Sequence, residues 1–572
     1  MSKNRKNKLF VLIALLLIGA MALIACGGTT EAPGAETDQE TTTGEETTGV
    51  QPAATEAARK VATFIFTQEF DSLNPIYSSM WFSAITQPIW NASAWNFDDQ
   101  NNPHPVLVTE IPSTDNGGIS TDGRVITLML RDDIVWNDGE PITSDDFVFT
   151  YQMSIDPKNL VVSTYPYDLI ESVEAPDAQT VVTTFKEPFV PWAATLWTYL
   201  LPAHVLRPVY EAEGTLDTAD WNAAPTVSAG PYRFVEWESG SFARFVRNEN
   251  YYNAPPNIDE IFIRFVPDDA SQVAALRTGD GDLGTFIAYS DVPTLEDAGV
   301  QILSVVSGYN EGWFMNFRDT ANPALQDVRV RQAIAMGFDR FKLNQDLLLG
   351  LTQPAVTFWD GTPFADPALE PWPYDPDQAR KLLDDAGWVD SNGDGTRDKD
   401  GVELVLIHGT TTREIRQDTQ AVAQQQLAEI GVGLDIRNYE SDIYFASYGE
   451  GGPCATGELD ICESSNSPSF PDPDTSYWLC SEIASDESPN GVNDQALCDP
   501  ELDALFQLQK TQVDFNERQA TFRQISDMMF EKIYWLGIWQ DPDIWAVSGR
   551  LTNVKLSGAT PFYDIANWDM QP

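Results

Sequence analysis

Residues 9–26 read LFVLIALLLIGAMALIAC and follow a leader carrying Lys3, Arg5, Lys6 and Lys8. This run constrains the chain more than any other stretch, because a folded body can form on only one side of it. A charged start, a short apolar run and small residues at its end make an export signal. An apolar run of this length also comes close to spanning a bilayer, so a permanent anchor is the competing reading. Under both readings the rest of the chain lies outside the membrane.

The end of the run separates the two. Leu23-Ile24-Ala25-Cys26-Gly27 resembles the bacterial lipobox, in which the cysteine is lipidated and becomes the first mature residue. Cys26 is therefore expected to carry lipid, with 1–25 removed as a lipoprotein signal peptide. Residues 26–58 are rich in Thr, Glu, Gly, Pro and Ala, and Val50 is their one large aliphatic residue. Such a segment cannot bury enough apolar surface to order itself, so it is expected to be a disordered tether. About thirty residues of this kind span on the order of 30 Å.

The chain has 86 acidic and 34 basic residues, a net charge of −52, which excludes nucleic acid as a partner. The same charge can steer cationic ligands, and it also serves plain solubility. With 572 residues, 42% of them hydrophobic, there is enough for a large core in two or more lobes. The 17 Trp, 18 Tyr and 29 Phe supply aromatic cores or the walls of a ligand cleft. Beyond Cys26 there are Cys454, Cys462, Cys480 and Cys498, in an oxidising compartment. They permit three pairings, of which the local bonds Cys454–Cys462 and Cys480–Cys498 are preferred. Zinc is disfavoured, since there is no CxxC spacing and no nearby histidine.

Local signals follow in order. Val61 to Phe66 reads as a strand, and an aromatic run with Tyr77, Trp81, Phe82 and Trp90 comes after it. Thr143 with Asp146 can cap a helix running through Tyr151. Asp327 precedes a helix with Val330, Ile334 and Gly337 turned inward and Arg329 and Arg331 outside. Asp375 caps another, with Pro376 at its first position, Ala379, Leu382, Leu383 and Ala386 on one face, and Gly387 at its close. The pieces Gly230-Pro231-Tyr232, Ala275-Leu276-Arg277-Thr278-Gly279-Asp280, Asp327-Val328-Arg329 and Tyr374-Asp375-Pro376 occur in a fixed order. Together with Asp138-Gly139-Glu140-Pro141, they resemble the substrate-binding lipoproteins of ABC importers, in the large class of oligopeptide- and dipeptide-binding proteins (family 5).

The resemblance implies an α/β, two-lobed periplasmic-binding-protein-like fold of type II, with a hinge and a central ligand cleft. Lobe one is expected at 59–305 plus 540–572, including the family's extra subdomain, and lobe two at 306–539. It implies a lipid-anchored monomer on the outer face of the cytoplasmic membrane, without a cofactor. Such a protein hands a peptide to an ABC permease and its ATPase; an oligosaccharide is the alternative ligand, stacked on Trp81, Trp313 or Trp359. Tyr77, Trp81 and the crossing stretch with Tyr309, Asn310 and Trp313 are candidate cleft residues. Arg413 matches an arginine that binds the ligand carboxylate. Asp472-Pro473-Asp474 resembles the family's DPD-like element. Ser469 and Asn466 stand where an amine-binding Asp and a Trp are found in peptide binders, a departure that argues against recognition of a free amine. Cys480 and Cys498 match the local disulfide of the dipeptide binders.

Enzymatic activity is not expected. His104, His204 and His408 sit in no nucleophile or metal motif, and there is no GxSxG or HExxH. A secreted hydrolase and a non-binding surface lipoprotein are the alternatives from other classes. Asp390, Asn392, Asp394 and Asp398 imitate a calcium loop, with Gly395 at its sixth position. Gly401 replaces the bidentate Glu at the twelfth, so a polar turn is expected rather than a metal site.

Overall fold

Ten strands join in one mixed sheet: β1 (Val61–Phe66), β2 (Tyr232–Glu238), β3 (Phe242–Arg247), β4 (Glu260–Phe265), β5 (Leu283–Thr285), β6 (Gln301–Met315), β7 (Val405–Thr411), β8 (Gly433–Tyr439), β9 (Ile461–Asn466) and β10 (Trp535–Val547). Their order across the sheet is β8-β7-β9-β6-β10-β5-β1-β4-β3-β2. The computed structural model describes residues 59–571, apart from Ser79, residues 467–469 and Asn490. Cys26, the tether and Ser469 lie outside the described residues, as does the side chain of Asn466.

β1 reads as a nearly continuous apolar run because it is paired on both sides, in parallel, by β4 and β5. Its Phe64 and Phe66 enter a first core that draws on the N-terminal half of the chain and on a C-terminal return, Trp545 to Met570. A three-stranded sheet, Val125–Met129, Ile170–Asp177 and Thr180–Phe185, carries a satellite core of its own. The second core lies between Trp313 and Trp539, with a flanking aromatic cluster from Phe314 to Trp535.

Two long strands connect these cores. β6 and β10 run antiparallel, and β6 packs Leu303 and Val305 on the first core but buries Trp313 and Met315 in the second. Midway the register shifts between Val306 and Tyr309, and again between Glu311 and Gly312. Pro542 pairs with Val306 beside the first shift, a position that tolerates a residue without an N–H. This is the two-lobed architecture expected, with the chain crossing between lobes on paired strands.

The caps form as local chemistry dictates. Thr143 N–H donates to Asp146 Oδ2 at 2.9 Å, opening helix Ser144–Ile155. Asp375 accepts from Gln378 N–H at 2.9 Å, opening Pro376–Asp385. Asp327 likewise caps Val328–Gly337. One expectation on that helix is corrected: Arg331 is buried. Its Nε donates to Lys532 O at 2.8 Å and its Nη1 to Leu325 O at 2.6 Å, and its guanidinium lies over the Phe317 ring. Carbonyls at the ends of two helical segments, Phe515–Lys532 and Pro323–Gln326, satisfy the charge, which an amphipathic pattern cannot reveal.

The cysteines pair locally, Cys454 with Cys462 and Cys480 with Cys498. The 390–398 loop spends its oxygens on itself. Asp390 accepts from Gly393 and Gly395 N–H at 2.6 and 3.0 Å, Asp394 from the Asn392 amide at 2.8 Å, and Asp398 from Ser391. Among the described residues no helix is long and apolar enough to cross a membrane.

Candidate ligand-binding cleft

The segment 470–472, which follows β9, separates two cavities. One, of about 270 Å³, is lined by Trp81, Asn91, Phe97, Thr198 and Pro561, with Phe470 as its wall from the segment after β9. The other, of about 380 Å³, is lined by Phe97, Trp192, Phe364, Pro471, Asp472 and Phe515. Each draws on both halves, and Phe97 is common to the two. Phe470 reaches this position because Gly308 has no side chain. Gly308 holds φ +78°, and a Cβ there would stand 1.9 Å from the Phe470 ring. Glycine thus answers a backbone and a packing demand at once.

Beside this segment the crossing strands present a polar, mostly anionic surface. Tyr309 is 48% exposed and pairs in register with Asp541. Arg413, from the start of helix Glu414–Ala428, places Nη1 3.4 Å from Asp541 Oδ2, and the Trp539 indole N–H donates to Oδ1 at 3.4 Å. Asp543 has no cationic partner among the described residues; burial and the charge of Asp541 push its carboxyl up to about 7. Burial, helped by Asp541, also pushes the Tyr289 phenol up. Phe286 is 45% exposed at φ 57°, with its ring 4.5 Å from Trp81. A non-glycine residue held there costs about 1–3 kcal/mol, and such strain gathers at ligand sites.

Several expected cleft residues prove to serve the framework. Trp313 is fully buried, because the strand turns its indole into the second core, where Nε1 donates to Glu463 Oε2 at 3.0 Å. Asn310 is fully buried too; its amide donates to the carbonyls of Phe358 and Asp360 at 3.2 and 2.9 Å. Asp472 lines a cavity but is held by two hydrogen bonds from Arg518, at 2.5 and 2.7 Å. Tyr77 packs on the first core, its phenol pushed up by burial and by Asp217. Trp359 is buried and donates to Ser526 Oγ at 2.9 Å. The direct ligand-facing roles expected of Asn310, Trp313 and Trp359 are therefore corrected, on burial. Trp81, Tyr309 and Arg413 are the accessible candidates. Asn466 pairs with Asn310 through its backbone.

Asp541, Asp543, Tyr289 and Phe286 escape the sequence reading. A signal existed for the first two: Asp541-Pro542-Asp543 repeats the tripeptide Asp472-Pro473-Asp474. Beneath the surface, Arg416 holds Glu311 with two bonds of 2.9 Å. Burial pushes the Glu311 carboxyl up to about 7 against the pull of Arg416, and the charge of Glu463 adds to the rise. His408 Nε2 lies 3.1 Å from Glu463 Oε2, both fully buried. Among the described residues no group of three or more His, Cys, Asp or Glu is placed to hold a metal ion.

Residues 102–485 match the family described as bacterial extracellular solute-binding proteins, family 5 Middle. A Brucella ovis protein named as an ABC transporter peptide-binding protein is 26% identical over 441 residues, 76% of this chain and 79% of its own. The nickel-binding periplasmic protein of Escherichia coli is 25% identical over 431 residues, 73% of this chain and 78% of its own. Among solved structures, the oligopeptide-binding protein of Bacillus subtilis in complex with a nonapeptide aligns with a TM-score of 0.61 at 22% identity, covering 90% of this chain and 100% of that one.

Proposed function

Because the chain belongs to the bacterial extracellular solute-binding proteins of family 5, we propose that it is the membrane-anchored receptor of an ABC importer, closing two lobes on a peptide-like solute and delivering it to the permease. Members of this family bind solutes and are not enzymes, and this chain is a solute-binding protein of that kind. The observation that carries the finer reading is the pair of cavities flanking 470–472, each with walls from both halves of the chain. The larger, about 380 Å³, falls in the range of small-ligand sites, about 300–1,000 Å³, and the smaller, about 270 Å³, lies just under it. A ligand seated there touches both lobes, so it favours the closed arrangement by its differential contacts. The lobes are taken as 59–305 with 540–572, and 306–539.

A peptide fits better than a sugar. Of the three indoles suited to stacking a sugar ring, Trp313 and Trp359 are buried, and Trp81 is the one that lines either of the two cavities. The mixed polar groups of Tyr309, Arg413 and Asp541 suit a peptide. Anchoring rests on the motif ending at Cys26. Two acyl chains would hold the receptor stably, and the tether would keep it at high local concentration near its permease. Native mass spectrometry of the protein as purified tests the ligand class. A co-purified mass in the short-peptide range is expected, and a ladder of hexose increments would overturn the peptide reading.

A further inference from the structure

A third cavity, of about 380 Å³, lies wholly in the second half of the chain. Strand alternation creates it. β6 turns Trp313 into the second core, so its neighbour Phe314 faces the opposite side. β9 pairs Cys462 with Phe314 and Glu463 with Trp313. Phe314, Cys462 and Ser464 therefore share one face and line the cavity, and the Cys454–Cys462 disulfide pins that wall. Tyr477 and Asp494 close it from the following loops.

Asp494 is the chemical anomaly there. It is half-buried, yet no N–H or O–H donates to its carboxylate among the described residues. Burial pushes it up to about 6, against the pull of Arg318. Arg318 is felt by the carboxylate but does not donate to it: its Nη2 is spent on the carbonyls of Ala455, Ala484 and Asp494 itself, at 2.7, 3.0 and 3.3 Å. The other carboxylate of the lining, Glu450, is engaged by Ser447 N–H and Oγ, at 3.2 and 2.9 Å. An enclosed carboxylate without a donor costs free energy that a cation would recover. The walls also hold the rings of Phe314, Tyr444, Phe445 and Tyr477, with Leu459 and Val492, which suit an apolar stem and a cation near an aromatic face, and the amides of Asn316 and Gln495. The cavity lies on the cleft side of the strand through Tyr477, a wall residue that feels the exposed Tyr309 of the cleft. The Tyr477 phenol, pushed up chiefly by burial, feels Asp474 and Asp494 as well.

We propose that this cavity is a side pocket of the cleft for an alkylammonium or guanidinium group on an apolar stem, as on a lysine or arginine side chain, with Asp494 as its counter-ion. This rests on the peptide reading for its biological ligand but not for its chemistry, and the strongly negative surface would steer such ligands inward. The test uses two probe sets on the full mature chain, with Asp494→Asn and Asp494→Leu. By saturation-transfer NMR, n-pentylammonium binds the native protein, loses about tenfold in affinity in Asp494→Asn, and yields to n-pentanol in Asp494→Leu. By calorimetry, Ala-Lys-Ala binds more tightly than Ala-Glu-Ala by about tenfold, and Asp494→Asn abolishes the difference. Thermal unfolding verifies that the isosteric Asn variant is folded. Equal pentylammonium binding by native and Asn proteins, or none by either, overturns the pocket. Asp494-dependent pentylammonium binding with no binding of any peptide upholds the pocket and overturns the peptide reading instead.

Discussion

Arg416 and Glu311 meet at the second register shift of β6, both almost fully buried, with Thr411 Oγ1 3.2 Å from Arg416 Nη1. A pair enclosed this way contributes little net stability, but either partner left alone is expensive. Arg416→Met should cost about 3 kcal/mol or more in chemical denaturation, because it strands Glu311. The double variant Glu311→Leu with Arg416→Met should recover most of that loss. A single variant as stable as the native protein would show that Glu311 is already neutral and needs no partner. Such pairs are not legible in sequence. Glu311 and Arg416 lie 105 positions apart and share no motif. Trp313 shows the same limit from the other side. The stretch is readable as a strand, but which face meets the core depends on partners far along the chain.

Elements divide into those set by neighbours and those set by distant chain. The helices opened by Asp146, Asp327 and Asp375 are legible because a cap needs only three or four residues. The pairing of β6 with β10 joins segments more than 200 residues apart, and nothing local marks its register. Its consequences, the exposed Tyr309 beside Asp541 and the unpaired Asp543, are therefore hidden until the strands are side by side. Gly308 is the element-scale pivot, since it sets the kink in β6 and seats Phe470. Gly308→Ala meets both an unfavourable φ and a 1.9 Å collision. It should lower stability by more than about 1 kcal/mol and weaken ligand binding, as Phe470 is displaced from between the cavities. Unchanged affinity in a folded Gly308→Ala protein, measured by calorimetry, would detach Phe470 from the site.

At the scale of the whole molecule, charge sets the response to pH. Glu311 and Asp543 are pushed up to about 7 and Asp494 to about 6, in each case chiefly by burial. A carboxyl whose folded value lies above its unfolded one stabilises the fold below the unfolded value, about 4, and loses that contribution as pH rises through 6 to 7. Repulsion within a chain of net charge −52 acts in the same direction. Asp499, held down to about 2 by Lys532 and Tyr534 against the cost of burial, opposes this only in more acid solution. Its contribution is kept above about pH 4 and lost as pH falls towards 2. Scanning calorimetry should thus find the highest Tm near pH 5 and a decline towards pH 8; a Tm rising to pH 8 would contradict the assignment. The family and its two lobes were legible because many local motifs recur in one order, whereas the ligand was not, since its contacts come from loops and crossing strands.

Lobe closure on a peptide remains the central claim, and small-angle X-ray scattering tests it directly. The mature protein, freed of co-purified ligand, should show a smaller radius of gyration when saturated with peptides that calorimetry shows to bind. An unchanged radius with peptide bound, or no binding across peptides of graded length and charge, would contradict it.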